Sequence, residues 1–210
     1  MRVRQYAICA VAAVLIWVTM GRTRPHVVSN APGLAGTFNA LGGIQAAAAA
    51  AAPKLGLQVM HEPTITAAQI DAVLAQYHSP AVGQGQVIYD LGKANGIDPA
   101  ICLAFFIHES SAGSNPAWAG WKSDGGTTHN IGNIVCTAGY QCYGRFRDYI
   151  SWQMGIADWY TLIKDLYVGE WKRTTVEEII PKYAPAADNN DELAYINSVK
   201  QMVQSWQKGQ

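Results

Sequence analysis

Residues 96–113 read GIDPAICLAFFIHESSAG, and this stretch decides the fold. Asp98 suits a helix N-cap, and Pro99 takes the first helical position, where its missing N–H costs nothing. From Ile101 to Ile107 every residue is apolar. A surface helix carries one apolar stripe, so a helix apolar all round belongs at the centre of a core. The remaining chain must then cover it on every side.

The flanking sequence supplies the cover. Upstream, Ile65, Ile70, Val73, Leu74 and Tyr77 fall at helical spacing behind Thr66 as N-cap, until Ser79-Pro80 breaks the run. A second helix is expected over residues 82–95, with Val87, Ile88 and Leu91 inward and Gly96 as its stop. Downstream, residues 111–147 are rich in Gly, Ser, Asn, Thr and Trp. Their β-prone pieces, 131–136 and 140–146, predict an irregular lobe with a small hairpin. Helical spacing returns with Tyr149, Trp152, Ile156, Trp159, Ile163 and Leu166. Thr175-x-x-Glu178 is a capping box opening a short helix that Pro181 disrupts. A last helix is expected over residues 192–207 on Tyr195, Ile196, Val199, Met202, Val203 and Trp206. The expected fold class is mainly α, an α+β arrangement of about six helices with a small loop and β-hairpin lobe.

The N-terminal part has another character. A basic head, Met1 to Arg4, precedes fifteen uncharged, mostly apolar residues, 6–20, which Arg22 and Arg24 follow. That pattern predicts a signal peptide or a signal-anchor over residues 1–24, hence a transmembrane helix or a cleaved leader, and an extracytoplasmic location. Residues 25–60, with seven consecutive alanines at 46–52, read as an Ala/Gly/Pro-rich linker, and residues 61–210 as the folded domain. The formal charge of zero hides an asymmetry. Residues 1–61 hold five of the fifteen basic residues and none of the fifteen acids, so residues 62–210 carry −5. An acidic domain excludes nucleic acid as the expected partner, because phosphate binding needs clustered Lys and Arg.

One carboxylate stands out. Glu109 follows the apolar run at the end of the central helix, beside Phe105 and Phe106, with no basic residue nearby in sequence before Lys122. Burial and the negative end of the helix dipole both disfavour its anion. A carboxyl kept protonated near neutral pH is what a general acid acting on a glycosidic oxygen requires. The alternative is a Glu at a helix end that is solvated or paired. His108-Glu109 opens a zinc-peptidase pattern, but position 112 is Ala112, so the motif fails. His108, His129, Cys136 and Cys142 match no standard zinc spacing, and neither a metal nor a cofactor is expected. In an oxidising compartment Cys136 and Cys142 are expected to form a disulfide that pins the hairpin, leaving Cys102 as a buried thiol.

Together these segments resemble a known group. Residues 96–113, the Asn130-Ile-Gly-Asn-Ile134 segment, Arg145-Phe-Arg-Asp-Tyr149 and Lys182-Tyr-Ala-Pro185 with Asp188-Asn-Asn190 and Tyr195 are similar, in order and spacing, to the lysozyme-like superfamily. More narrowly they resemble glucosaminidase domains of glycoside hydrolase family 73, of the mannosyl-glycoprotein endo-β-N-acetylglucosaminidase type, and bacterial lytic transglycosylases. The resemblance covers about residues 65–207. It implies a lysozyme-like fold, Glu109 as general acid, Ser110 helping to orient it, and Tyr183 across the cleft as a further catalytic group. It also implies Asn130 and Asn133 on the floor, bonding the sugar. Tyr183 and Tyr195 also suit plain core packing, Tyr195 more so.

Three positions stay open on the residues themselves. Trp118 and Trp121 suit stacking on sugar faces, and equally capping of the core. Asp124, in the loop SDGGTT, suits a second catalytic carboxylate or an ordinary turn. The expected activity is therefore a peptidoglycan hydrolase cleaving β-1,4 bonds between amino sugars, acting as a monomer, with membrane contact through its N-terminus. The alternatives are a lytic transglycosylase on the same polymer and a wall-binding module without catalysis.

Overall fold

The computed structural model describes residues 55–209. Its centre is the apolar stretch. Helix α3, Pro99–Ser110, is buried from Pro99 to Ile107, and Asp98 caps it by accepting from the Ala100 N–H at 3.0 Å. The same carboxylate accepts from the Thr64 hydroxyl, so the cap also anchors the approach to α1.

Helices α1, Ala67–Gln76, and α2, Gly85–Asn95, pack on each other, and α2 lies against α3. Thr66 opens α1 with a full capping box to Gln69, and Gly96 ends α2 in the left-handed conformation. Helix α2 begins three residues later than the sequence pattern suggests, and Val82 is exposed. After α3 the chain forms the irregular lobe, whose hairpin is short. Strands β1, Cys142–Tyr143, and β2, Phe146–Arg147, pair antiparallel, with Cys142 opposite Arg147. The expected strand at 131–136 contributes only a bridge from Val135 to Phe146.

Helix α4, Trp152–Thr161, continues into a π-helical segment, Leu162–Glu170, that places Tyr167 in the core. Helix α5, Val176–Tyr183, starts at the Thr175–Glu178 capping box. Pro181 sits inside it rather than ending it, and the helix runs on to Tyr183. Helix α6, Glu192–Gln207, is capped by Asp191 and lies along both α3 and α5. The fold class is thus mainly α with a small β lobe.

The core is aromatic around α3. Phe105 meets Trp159, Tyr183 and Tyr195 with ring centroids 5.2–5.4 Å apart. The folded part reaches back beyond residue 61. Val59 is fully buried, its N–H donates to Thr174 O and its carbonyl accepts from Asp98 N. Among the described residues no helix is long and apolar enough to cross a membrane, so the expected transmembrane helix is not found among them. The segment that suggested it, residues 6–20, lies outside the described residues, as do the basic head and the alanine run.

Candidate active site

Helix α3 ends where its side chains can no longer all be buried. His108 is exposed, Glu109 is half-buried, and Ser111 and Ala112 turn left-handed with φ of 53° and 54°. Ser110 closes this end. Its hydroxyl donates to the Phe106 carbonyl and accepts from Gly113 N, so it secures the turn under Glu109 and does not touch the carboxyl.

Each oxygen of Glu109 accepts one hydrogen bond. The Tyr195 hydroxyl, from α6, donates to Oε1 at 2.6 Å. The Asn133 amide, from the lobe, donates to Oε2 at 3.0 Å. Asn133 is itself held, because the Trp118 indole N–H donates to its Oδ1 at 2.7 Å. An indole can only donate, so this bond sets the amide orientation and turns the NH2 group toward the acid. Asn133 takes φ of 46°, a left-handed backbone that Asn tolerates better than most side chains.

The segment that carries Asn133 is built for close approach. A Cβ at Gly132 would collide with the Tyr183 hydroxyl and the Trp159 ring, so only glycine fits there. Asn130, expected to bond a sugar, is committed to the protein. Its amide donates to Ile134 O and Arg147 O, and its Oδ1 accepts from Ile134 N. It ties the Asn133 loop to β2.

Burial pushes the Glu109 carboxyl up to about 8, while the Tyr195 and Asn133 bonds pull it down. Glu109 forms no salt bridge among the described residues, and no charged group is among the causes of its shift. Burial raises the pKa of Tyr195, Tyr183 and Tyr167, and the charge of Glu109, once ionised, raises each of them further.

Tyr183 is not free to reach a substrate. It is 3% exposed, and its hydroxyl donates to the Gly132 carbonyl at 2.6 Å. Tyr195, the tyrosine that suited the core more readily, is the one bonded to the acid. Trp118 is buried beneath Phe106 and Trp152 and serves Asn133, whereas Trp121 is half-buried with its N–H on Asn115 O. Asp124 is exposed and accepts from Gly126 N within its own turn. Two further acids are paired, Asp148 at the end of the lobe with Lys122 and Asp158 on α4 with Arg147. Glu109 therefore has no carboxylate among its hydrogen-bond partners. Cys136 and Cys142 form a disulfide across the lobe. Among the described residues no cluster of three or more His, Cys, Asp or Glu could hold a metal ion.

No family model, curated protein or solved structure matches this chain. The site's chemistry is consequently argued from its own atoms. A half-buried carboxyl protonated at neutral pH can deliver a proton, and two fixed donors stabilise the carboxylate that remains.

Proposed function

We propose that the chain is a glycoside hydrolase that cleaves β-1,4 bonds between amino sugars of peptidoglycan, with Glu109 as general acid. The observation that carries this reading is the carboxyl itself. It ends a wholly apolar helix, holds its proton up to about pH 8, and sits between the Tyr195 hydroxyl and the Asn133 amide. A half-buried carboxyl without a charged partner costs stability, and one poised near neutral pH suits protonation of a leaving oxygen. The similarity of residues 96–113 and 130–134 to glucosaminidase domains supplies the substrate class. The Cys136–Cys142 disulfide supports an oxidising, extracytoplasmic setting.

In this reading Glu109 gives its proton to the glycosidic oxygen as the C–O bond breaks. The Tyr195 and Asn133 donors then hold the carboxylate. Hydrolases of this kind usually place a second carboxylate about 6.5–9.5 Å away, or about 5–5.5 Å when retaining. Asp124 bonds within its own turn, and this observation favours a second reading. With one acid alone, the substrate's own acetamido or hydroxyl group attacks the anomeric carbon, the latter giving the anhydro product of a lytic transglycosylase.

The test is mass spectrometry of the soluble products when the protein is incubated with purified peptidoglycan, beside Glu109→Gln. Reducing-end amino sugars from the wild type alone support hydrolysis. Anhydro-muramyl ends support the second reading. Binding without release from either protein leaves a wall-binding module.

A further inference from the structure

His108 is unexplained by the reaction just described. It is exposed, yet its imidazole lies nearly parallel to the Tyr195 ring, with centroids 3.6 Å apart and planes 18° apart. The Tyr195 side chain beneath it is 3% exposed and donates to Glu109. Tyr195 thus touches two consecutive residues of α3, one through its face and one through its hydroxyl. We propose that His108 is a positioning residue for Glu109: by covering the Tyr195 ring it holds the phenol against the carboxyl and keeps water from that side of the acid. The inference rests on Glu109 being the acid.

Geometry and charge agree with this role. Tyr195 reaches Glu109 from α6 and Asn133 reaches it from the lobe, so the two donors come from separate parts of the fold. Asn133 is fixed from behind by Trp118. Among the described residues the Tyr195 hydroxyl has no second hydrogen bond to fix it, and the ring meets Phe105 in a tilted contact and His108 in a stacked one. Removing His108 takes away the exposed ring stacked on Tyr195. Desolvation lowers the imidazole's own pKa to about 4, so it is neutral where the acid works and adds no charge beside Glu109. Among the described residues the carboxyl is bonded by Tyr195 from α6 and Asn133 from the lobe and coupled electrostatically to Tyr183 from α5 and Tyr167 from the π segment, none of them charged at neutral pH.

The experiment titrates the Glu109 carboxyl directly by carbon-13 NMR in the full chain, its signal assigned by its loss in Glu109→Gln. In His108→Ala, water reaches the carboxyl and its proton affinity falls about tenfold, because burial is the largest cause of its elevation. His108→Phe, which restores the cover without a titratable ring, returns the affinity to within about twofold of wild type. Tyr195→Phe keeps the ring and removes the donor, so it moves the affinity upward. His108→Gln carries the alanine expectation should the alanine form not fold. An unmoved titration in His108→Ala or His108→Gln, or a phenylalanine form that stays low, overturns the proposal. Expected titrations in a protein that releases nothing from peptidoglycan keep the positioning role and overturn the substrate reading.

Discussion

The Tyr195 hydroxyl meets Glu109 Oε1 at 2.6 Å across 86 residues of chain. This bond joins the C-terminal helix to the end of the central one, at the one place where α3 exposes a carboxyl. It makes α6 part of the acid's environment as well as part of the core. The consequences can be measured.

Replacing the acid comes first. Glu109→Gln keeps the shape but has no acidic proton to give, and its amide accepts through one oxygen where the carboxyl accepts through two. Release of sugar from peptidoglycan should fall about 10²–10⁴-fold, the usual contribution of a general acid, while wall binding persists. Sedimentation with insoluble wall measures the binding. Turnover within about twofold of wild type would remove Glu109 from the chemistry.

The same carboxyl makes stability depend on pH. Its folded pKa of about 8 lies above the ordinary value of 4.5, so the folded state prefers the protonated form. Its contribution is fully present below about pH 4.5 and is lost as pH rises through about 8. Glu109→Gln escapes that loss. Relative to wild type it should gain about 4 kcal/mol between pH 5 and pH 9, read from urea midpoints. Activity should follow the same proton and decline above about pH 8.

Much of this was legible in the sequence, and the failures have physical reasons. The six helices follow from caps and spacing that act locally: Thr66, Asp98, Thr175 and Gly96 each do in the structure what their types suggest. Glu109 was legible because one residue breaks an apolar run. Its partners were not. Tyr195 lies on the apolar stripe of α6, and nothing local distinguishes a core tyrosine from one whose hydroxyl meets an acid. Asn130 and Asn133 differ by three positions in one motif, yet Asn130 ties backbone and Asn133 holds the acid. That division is set by the Trp118 indole and by Arg147 on β2, both supplied by other parts of the lobe. The π-helical turn after Thr161 was invisible, since Ile163 and Leu166 continue an ordinary helical spacing.

Trp118 gives a test of the lobe's grip on the acid. Trp118→Phe keeps an aromatic ring against Phe106 and Trp152 but deletes the N–H that orients Asn133. Stability should fall by about 1–2 kcal/mol, the ordinary loss when one buried partner is removed. Turnover should fall with it, and the Glu109 proton affinity should rise, because a carboxylate donor has been loosened. Thermal melts and the carboxyl titration report the two separately. An unchanged titration would mean that Asn133 holds its place without the indole.

The disulfide should stabilise the lobe without governing the helices. Cys136 and Cys142 enclose a short loop, for which chain entropy gives about 2 kcal/mol. Dithiothreitol should lower the melting temperature of the wild type and leave a Cys136→Ser, Cys142→Ser protein unaffected. Far-ultraviolet circular dichroism of the reduced protein should keep its helical signal. Collapse of that signal on reduction would show that the bridge supports the whole fold.

Gly132 links packing to chemistry most directly. A methyl group there has no room beside the Tyr183 hydroxyl and the Trp159 ring, and both of those side chains are buried in the core. The glycine backbone is therefore the part able to move, carrying Asn133 away from Glu109. Gly132→Ala should cost about 1–3 kcal/mol, as overpacking generally does. Its turnover should fall further than that of a variant equally destabilised elsewhere. Tyr183→Phe in the same chain removes one of the two obstructions and should recover part of both losses. If the double variant is no more stable and no more active than Gly132→Ala alone, the collision with Tyr183 is not what fixes this loop.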